Sequence, residues 1–303
     1  MYIKKYITRI LLAFFLLALP TTLLAADEIY KPFIFAYSSE NDMETTAETV
    51  RAKLTEAGFE ISGENSPYEG VLNIVVTNAA LQTASAASDF GTFAAAQRVF
   101  LTKMGDAVQV SYTNPNYMAL AYRLESDLVP IKESLVEALG TEKEFGSKKG
   151  LNAKRLTKYR YMGFPMFTER FDKPDLLATY ESHEEAVAKL EEGLAADSAN
   201  VTKVYRIDVP GTSDTLFGVA IAEGNGGDDH IMTKIDFEDT RSSAHLPYEI
   251  LVKDNEIYAL GARFRIAISF PDLKMVGSHS FAGIMSAPGA IKKALKTASG
   301  NLK

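Results

Sequence analysis

The sequence predicts an α+β protein made of two tandem β-α-β(4)-α-like domains, each an antiparallel sheet packed by two helices. Three observations carry that prediction. Short apolar and aromatic runs suited to buried strands outnumber the stretches with helical spacing. Two turns, Met104-Gly105-Asp106 and Lys253-Asp254-Asn255-Glu256, fall between strand-like runs at the same place in each half. The order of elements is read twice, and Ala52-Lys53-Leu54-Thr55-Glu56 recurs as Ala188-Lys189-Leu190-Glu191-Glu192. The domains then span 27–140 and 161–303, with a basic linker at 141–160.

In the first unit, Phe33-Ile34-Phe35-Ala36-Tyr37 reads as a buried strand. A helix follows, capped by Asp42, with Ala47, Val50, Leu54 and Ala57 at helical spacing and Gly58 as its stop. Strands are predicted at Phe59–Ile61, Val71–Thr77, Arg98–Lys103, Val108–Tyr112 and Met118–Tyr122, then a closing helix from Ser126 to Gly140. In the second unit Tyr161–Phe167 supplies the opening strand and Ser182 caps a helix through Ala186, Val187, Leu190 and Leu194. Strands follow at Val204–Val209, Leu216–Ala222, Tyr248–Val252 and Ile257–Ser269, the last bent near Gly261. Gly211-Thr212-Ser213 is a turn. The final helix has Pro288 in its first turn, Ile291, Leu295 and Ala298 inward, and Gly300 beyond its end.

The N-terminus combines Lys4, Lys5 and Arg9, an apolar run from Ile10 to Leu19, Pro20, and small residues at Ala25-Ala26. That is the pattern of a secretory signal peptide over 1–26, with an apolar run too short to span a bilayer. The expected location is periplasmic or secreted. Three of the bases and none of the acids lie in that leader, so the rest carries 29 basic against 39 acidic residues. Such an acidic chain is a poor nucleic-acid binder, because neutralising phosphate takes Lys and Arg. With no cysteine there is no disulfide, covalent haem or iron–sulfur cluster to expect. The one strongly basic stretch holds Lys143, Lys148, Lys149, Lys154, Arg155, Lys158 and Arg160. It reads as a solvated linker or as a weak contact for an anionic surface.

The run Val71–Asn78, the stretch 79–96, the strands within Gln97–Val110 and the sequence Tyr112–Pro115 resemble the domain-of-unknown-function 302 family, whose fold is similar to one half of the TATA-binding protein. In that family a strand ends in Asn-Pro before a short helix, and a Pro precedes the next strand. Asn78 matches the first position, with Ala79 in place of the proline. The second half keeps the later proline as Pro247 and has Asp228-Asp229-His230 near the Asn position. The resemblance implies a fold for both halves and carries no activity, and the fold alone implies no DNA binding.

Candidate chemistry concentrates in Glu223-Gly224-Asn225-Gly226-Gly227-Asp228-Asp229-His230. Asp228 and Asp229 in a glycine loop could supply oxygen to Ca²⁺, and His230 with His245 could add nitrogen for a transition metal. The alternative is that Asp228 or Asp229 caps a helix through Ile231, Met232 and Ile235. His183, His230, His245 and His279 include no pair three or four apart, and no nucleophile elbow or phosphate loop is present. Tyr112, Tyr117 and Tyr122 either line a groove or pack the sheet. Two functions stay open: a non-catalytic envelope module binding a small molecule or protein near Asp228, Asp229, His230, His245 and Asn78, or a metal-dependent enzyme centred on the first four.

Overall fold

The computed structural model describes residues 28–163 and 167–301 and is mixed α+β, with antiparallel sheets. The leader-like segment 1–26 lies outside the described residues. In chain order the first half contains β1 (Ile29–Tyr30), β2 (Phe33–Ser39), α1 (Met43–Glu56), β3 (Glu60–Asn65), β4 (Val71–Thr77), α2 (Ala79–Ala86), β5 (Gln97–Met104), β6 (Ala107–Thr113), α3 (Pro115–Ala121) and α4 (Val129–Leu139). There follow β7 (Lys143–Phe145), β8 (Leu151–Asn152), α5 (Ala153–Thr157), β9 (Tyr161–Gly163) and β10 (Phe167–Glu169). The second half contains β11 (Asp175–Thr179), α6 (His183–Ala195), β12 (Val201–Asp208), β13 (Asp214–Ile221), α7 (Asp228–Ile235), β14 (Tyr248–Lys253), β15 (Glu256–Ala259), α8 (Ala262–Ser269) and α9 (Ala287–Ala298).

The first large sheet has the order β3-β4-β5-β6-β2-β7 and the second β12-β13-β14-β15-β11, every pairing antiparallel. In each, the opening strand is carried by a helix away from its chain neighbour and finishes beside the last strand of the meander. Asp42 and Ser182 cap the helices that make these crossings, accepting from Thr45 N at 2.8 Å and Glu185 N at 3.2 Å. The tight turns at 105–106 and 254–255 link β5 to β6 and β14 to β15.

Several elements depart from the sequence expectation. Met118–Tyr122 belongs to α3 and its C-terminal cap rather than to a strand, and Ile257–Ser269 is β15 followed by α8. Both helices are apolar around most of their circumference because both are buried between layers, so no polar stripe betrays them. Tyr161–Phe167 is not the opening strand of the second sheet. That strand is β11, a half-exposed edge strand, while Tyr161–Gly163 pairs with β10 in a small separate hairpin. The basic stretch 141–160 folds onto the first half: β7 extends its sheet beside β2, and β8 pairs with β1. Its seven cationic residues are all exposed.

Each sheet lays helices on one face. Ile34, Val99, Leu101 and Val110 pack under α1 and α4, and Phe217, Val219, Ile250 and Val252 pack under α6 and α9. The opposite faces turn towards a shared interior, where Val75, Tyr117 and Tyr122 meet Tyr205, Leu216, Leu251 and Phe264. At one margin β3 comes against β12 so closely that a Cβ on Gly63 would lie 2.2 Å from the Val204 carbonyl oxygen. Glycine is required there by the approach of the backbones.

Candidate functional site

The pleat of β5 sends Val99 and Leu101 to the helix side, which aims Arg98 at the shared interior. On β14, Ile250 and Val252 face the helices, so Glu249 and Leu251 point the other way. Arg265 enters from α8. These three charged residues meet with 3%, 4% and 1% of their surface exposed for Arg98, Glu249 and Arg265. Arg98 Nη1 donates to Glu249 Oε1, and Arg265 Nη2 lies 3.0 Å from the other carboxylate oxygen. The same Nη2 donates to the carbonyls of His245 at 2.9 Å and Pro247 at 3.0 Å. Burying ions is costly unless partners are supplied, and here two guanidinium groups share one carboxylate.

Aromatic side chains enclose the cluster. Tyr122 stacks on Phe171 with ring centroids 5.0 Å apart. Tyr205 lies flat over Gly218, where a Cβ would stand 1.9 Å from its ring. Tyr117 donates to the Ile268 carbonyl at 2.8 Å. Burial pushes the phenols of Tyr122 and Tyr205 up, with Glu249 adding to the rise and Arg98 and Arg265 opposing it. Both hydroxyls therefore keep their protons in the neutral range. Among the described residues the Tyr205 hydroxyl, Arg98 Nε, Arg265 Nε and Arg265 Nη1 find no hydrogen-bond partner; the Tyr122 hydroxyl has no well-aligned one but sits against the Arg98 guanidinium, whose N–H groups help hold its pKa down. Buried polar groups are normally satisfied, so this concentration of unpartnered polar atoms makes the cluster the candidate site.

The residues singled out from the sequence are distributed differently. Asn78 is a helix cap: its side chain accepts from Leu81 N at 2.8 Å at the start of α2. Asp228 is the first residue of α7 rather than its cap, a place taken by Gly227. Its carboxyl turns back to accept from Ile221 N at 3.1 Å, its other oxygen has no partner, and burial pushes its pKa up to about 8. Asp229 is exposed, and the Nε2 of His230 faces the Lys234 ammonium at 3.0 Å. His245 is fully buried, Nδ1 2.9 Å from Ser269 Oγ and Nε2 3.1 Å from the Tyr248 hydroxyl. Burial, with Arg265 and Arg98 nearby, holds its pKa well below the ordinary range, so it is neutral. Among the described residues no three His, Asp or Glu side chains are grouped to hold a metal ion.

Tyr112, Tyr117 and Tyr122 are buried and line no open groove. Tyr112 packs with α1 and α4, whereas Tyr117 and Tyr122 face the shared interior. A surface cleft of about 480 Å³ opens at Arg51, Tyr68 and Lys103. Its arginine is already taken by Glu44 and Glu64 at 3.2 and 2.8 Å. No helix among the described residues is long and apolar enough to cross a membrane.

Sequence reading passed over Arg98, Glu249, Arg265 and Tyr205. The signal was there: Arg98 precedes Val99-Phe100-Leu101, Glu249 sits inside Tyr248–Val252, and Arg265 separates Phe264 from Ile266. A charge inside an apolar run belongs either to an exposed edge or to a buried pair. Only the packing of the two sheets decides which. No family model, no curated protein and no solved structure matches the chain.

Proposed function

We propose that the protein is an exported, non-catalytic binding module of the cell envelope that takes a small ligand into the interior between its two sheets. One observation carries this reading: both halves contribute side chains to one buried polar cluster whose hydrogen-bonding capacity is not used up. Arg98 and Tyr122 come from the first half, and Tyr205, Glu249 and Arg265 from the second. Ligand sites favour such junctions. The leader over 1–26 supports export. The matching strand orders support descent of the halves from one duplicated unit, in line with the likeness to the domain-of-unknown-function 302 family. The exposed cations of 141–160 suit an accessory contact with anionic headgroups.

The test is a small-molecule library screened by thermal shift on the protein without its leader. Hits are retested on Arg98→Met. A compound that raises the melting temperature of the wild type and not of the variant supports the reading. If hits act equally on both, or depend on added metal and on His230, the site lies elsewhere and this reading fails.

A further inference from the structure

We propose that the interior between the sheets binds a small monoanion of the halide or short-carboxylate class, held by Arg98, Arg265, Tyr122 and Tyr205. This rests on the binding reading above and names its ligand class.

The chemistry of the cluster selects the charge. A guanidinium has only donors to offer. Each oxygen of Glu249 is already engaged by an arginine. Arg265 Nη2 is shared among Glu249 and two carbonyls, leaving Nη1 and Nε of that residue unpartnered together with Arg98 Nε. Tyr205 adds an unpartnered hydroxyl, and Tyr122, whose oxygen faces the Arg98 guanidinium, still has its proton to donate. An acceptor with several lone pairs and a full negative charge satisfies such a set. A cation does not.

The same cluster argues for a single charge. Two buried guanidinium groups face one buried carboxylate, and the adjacent His245 is neutral, with its ring nitrogens against hydroxyls of Ser269 and Tyr248. One positive charge is left in excess in a region walled by Phe171, Phe264, Leu251 and Leu216. In such low-dielectric surroundings an uncompensated charge is strongly disfavoured. A monoanion balances it, whereas a dianion would leave a net negative charge equally poorly solvated. Tyr205 can lie across β13 only because residue 218 is a glycine, and its phenol is within electrostatic reach of Glu249 and both arginines.

The experiment measures thermal unfolding at constant ionic strength, with chloride or formate exchanged stepwise for a bulky sulfonate. The wild-type melting temperature should rise with chloride or formate and saturate, as ligand linkage requires. In Tyr122→Phe and Tyr205→Phe, the half-saturating concentration should increase about tenfold for the loss of one charge-assisted hydrogen bond. In the sulfonate alone Tyr205→Phe should melt at or above the wild-type temperature, since it removes a buried unpaired hydroxyl. A wild-type melting temperature indifferent to the small anions overturns the proposal, as do Phe variants that respond like the wild type. If instead a neutral library compound stabilises the wild type but not Arg98→Met, the anion falls and the binding reading stands. If neither anion nor compound acts through these residues, both fall.

Discussion

Asp228 is the single residue with the clearest solution signature. Its carboxyl is buried and keeps one hydrogen bond, so the folded chain holds the proton up to about pH 8, whereas an ordinary carboxyl releases it near 3.8. A folded-state pKa raised above the unfolded one gives stability that is complete below about pH 4 and is lost as pH rises towards 8. Asp236, pushed to about 6 by its own burial, adds to the lower part of that window. Urea unfolding at pH 5, 6.5 and 8 should show wild-type stability declining by up to about 1.4 kcal/mol per pH unit between 6.5 and 8, where Asp228 titrates; below 6.5 the depressed pKa of buried His245 acts in the opposite sense and offsets part of the decline. Asp228→Asn should flatten the decline between pH 6.5 and 8 and remove Asp228's share below 6.5 as well, leaving Asp236 and His245 to set the slope there. Equal slopes in both proteins would mean that Asp228 reaches solvent. At the ionic cluster, Glu249→Gln leaves two arginines buried without their carboxylate, and about 3–5 kcal/mol of stability should be lost. Replacing Arg98, Glu249 and Arg265 together by methionine should cost less than that single change, because no charge is then left unpaired. A triple variant less stable than Glu249→Gln would show that the ions do more than neutralise one another.

Elements were legible in the sequence where they keep one wet face or where turn and cap residues bound a short apolar run. α1 and α6 carry a cap, a polar stripe and an apolar stripe, and Asp42 and Ser182 take the positions their residue types suggest. Val71–Thr77 is a strand with the predicted limits because its apolar run is bounded by Gly70 and Asn78. α3 and α8 were not legible: both lie between layers, and a helix buried on all sides has the composition of a strand. β11 was missed for the opposite reason. As an edge strand it buries little more than Leu177, and the more apolar Tyr161–Phe167 drew the assignment instead. The approach of β3 to β12 leaves only a glycine as its trace. Gly63→Ala should push the sheet edges apart and lower stability by about 1–3 kcal/mol, measured by urea unfolding. Gly283→Ala serves as the comparison because nothing lies near its missing Cβ and its φ is not in the left-handed region. If Gly63→Ala costs no more than Gly283→Ala, the junction is looser than the structure has it.

At the scale of the whole molecule, the two sheets share their interior. Val75, Tyr117 and Tyr122 of the first half lie in the same apolar cluster as Tyr205, Leu216, Leu251 and Phe264 of the second. Polar ties cross the junction as well: Thr92 donates to Asp214 at 2.6 Å and Tyr68 to Ser243 at 3.1 Å. Unfolding should therefore be one transition, with far-ultraviolet dichroism and tyrosine fluorescence coincident in urea. Two separated transitions would contradict a shared core.

The proposed binding needs that shared core to bring residues of both halves to one ligand, and native mass spectrometry of protein isolated from its native host tests the proposal most directly. The wild type should carry a non-covalent small-molecule adduct that is released on unfolding and absent from Tyr122→Phe/Tyr205→Phe. A wild type with no adduct, or an adduct retained equally by the variant, would contradict binding at the cluster.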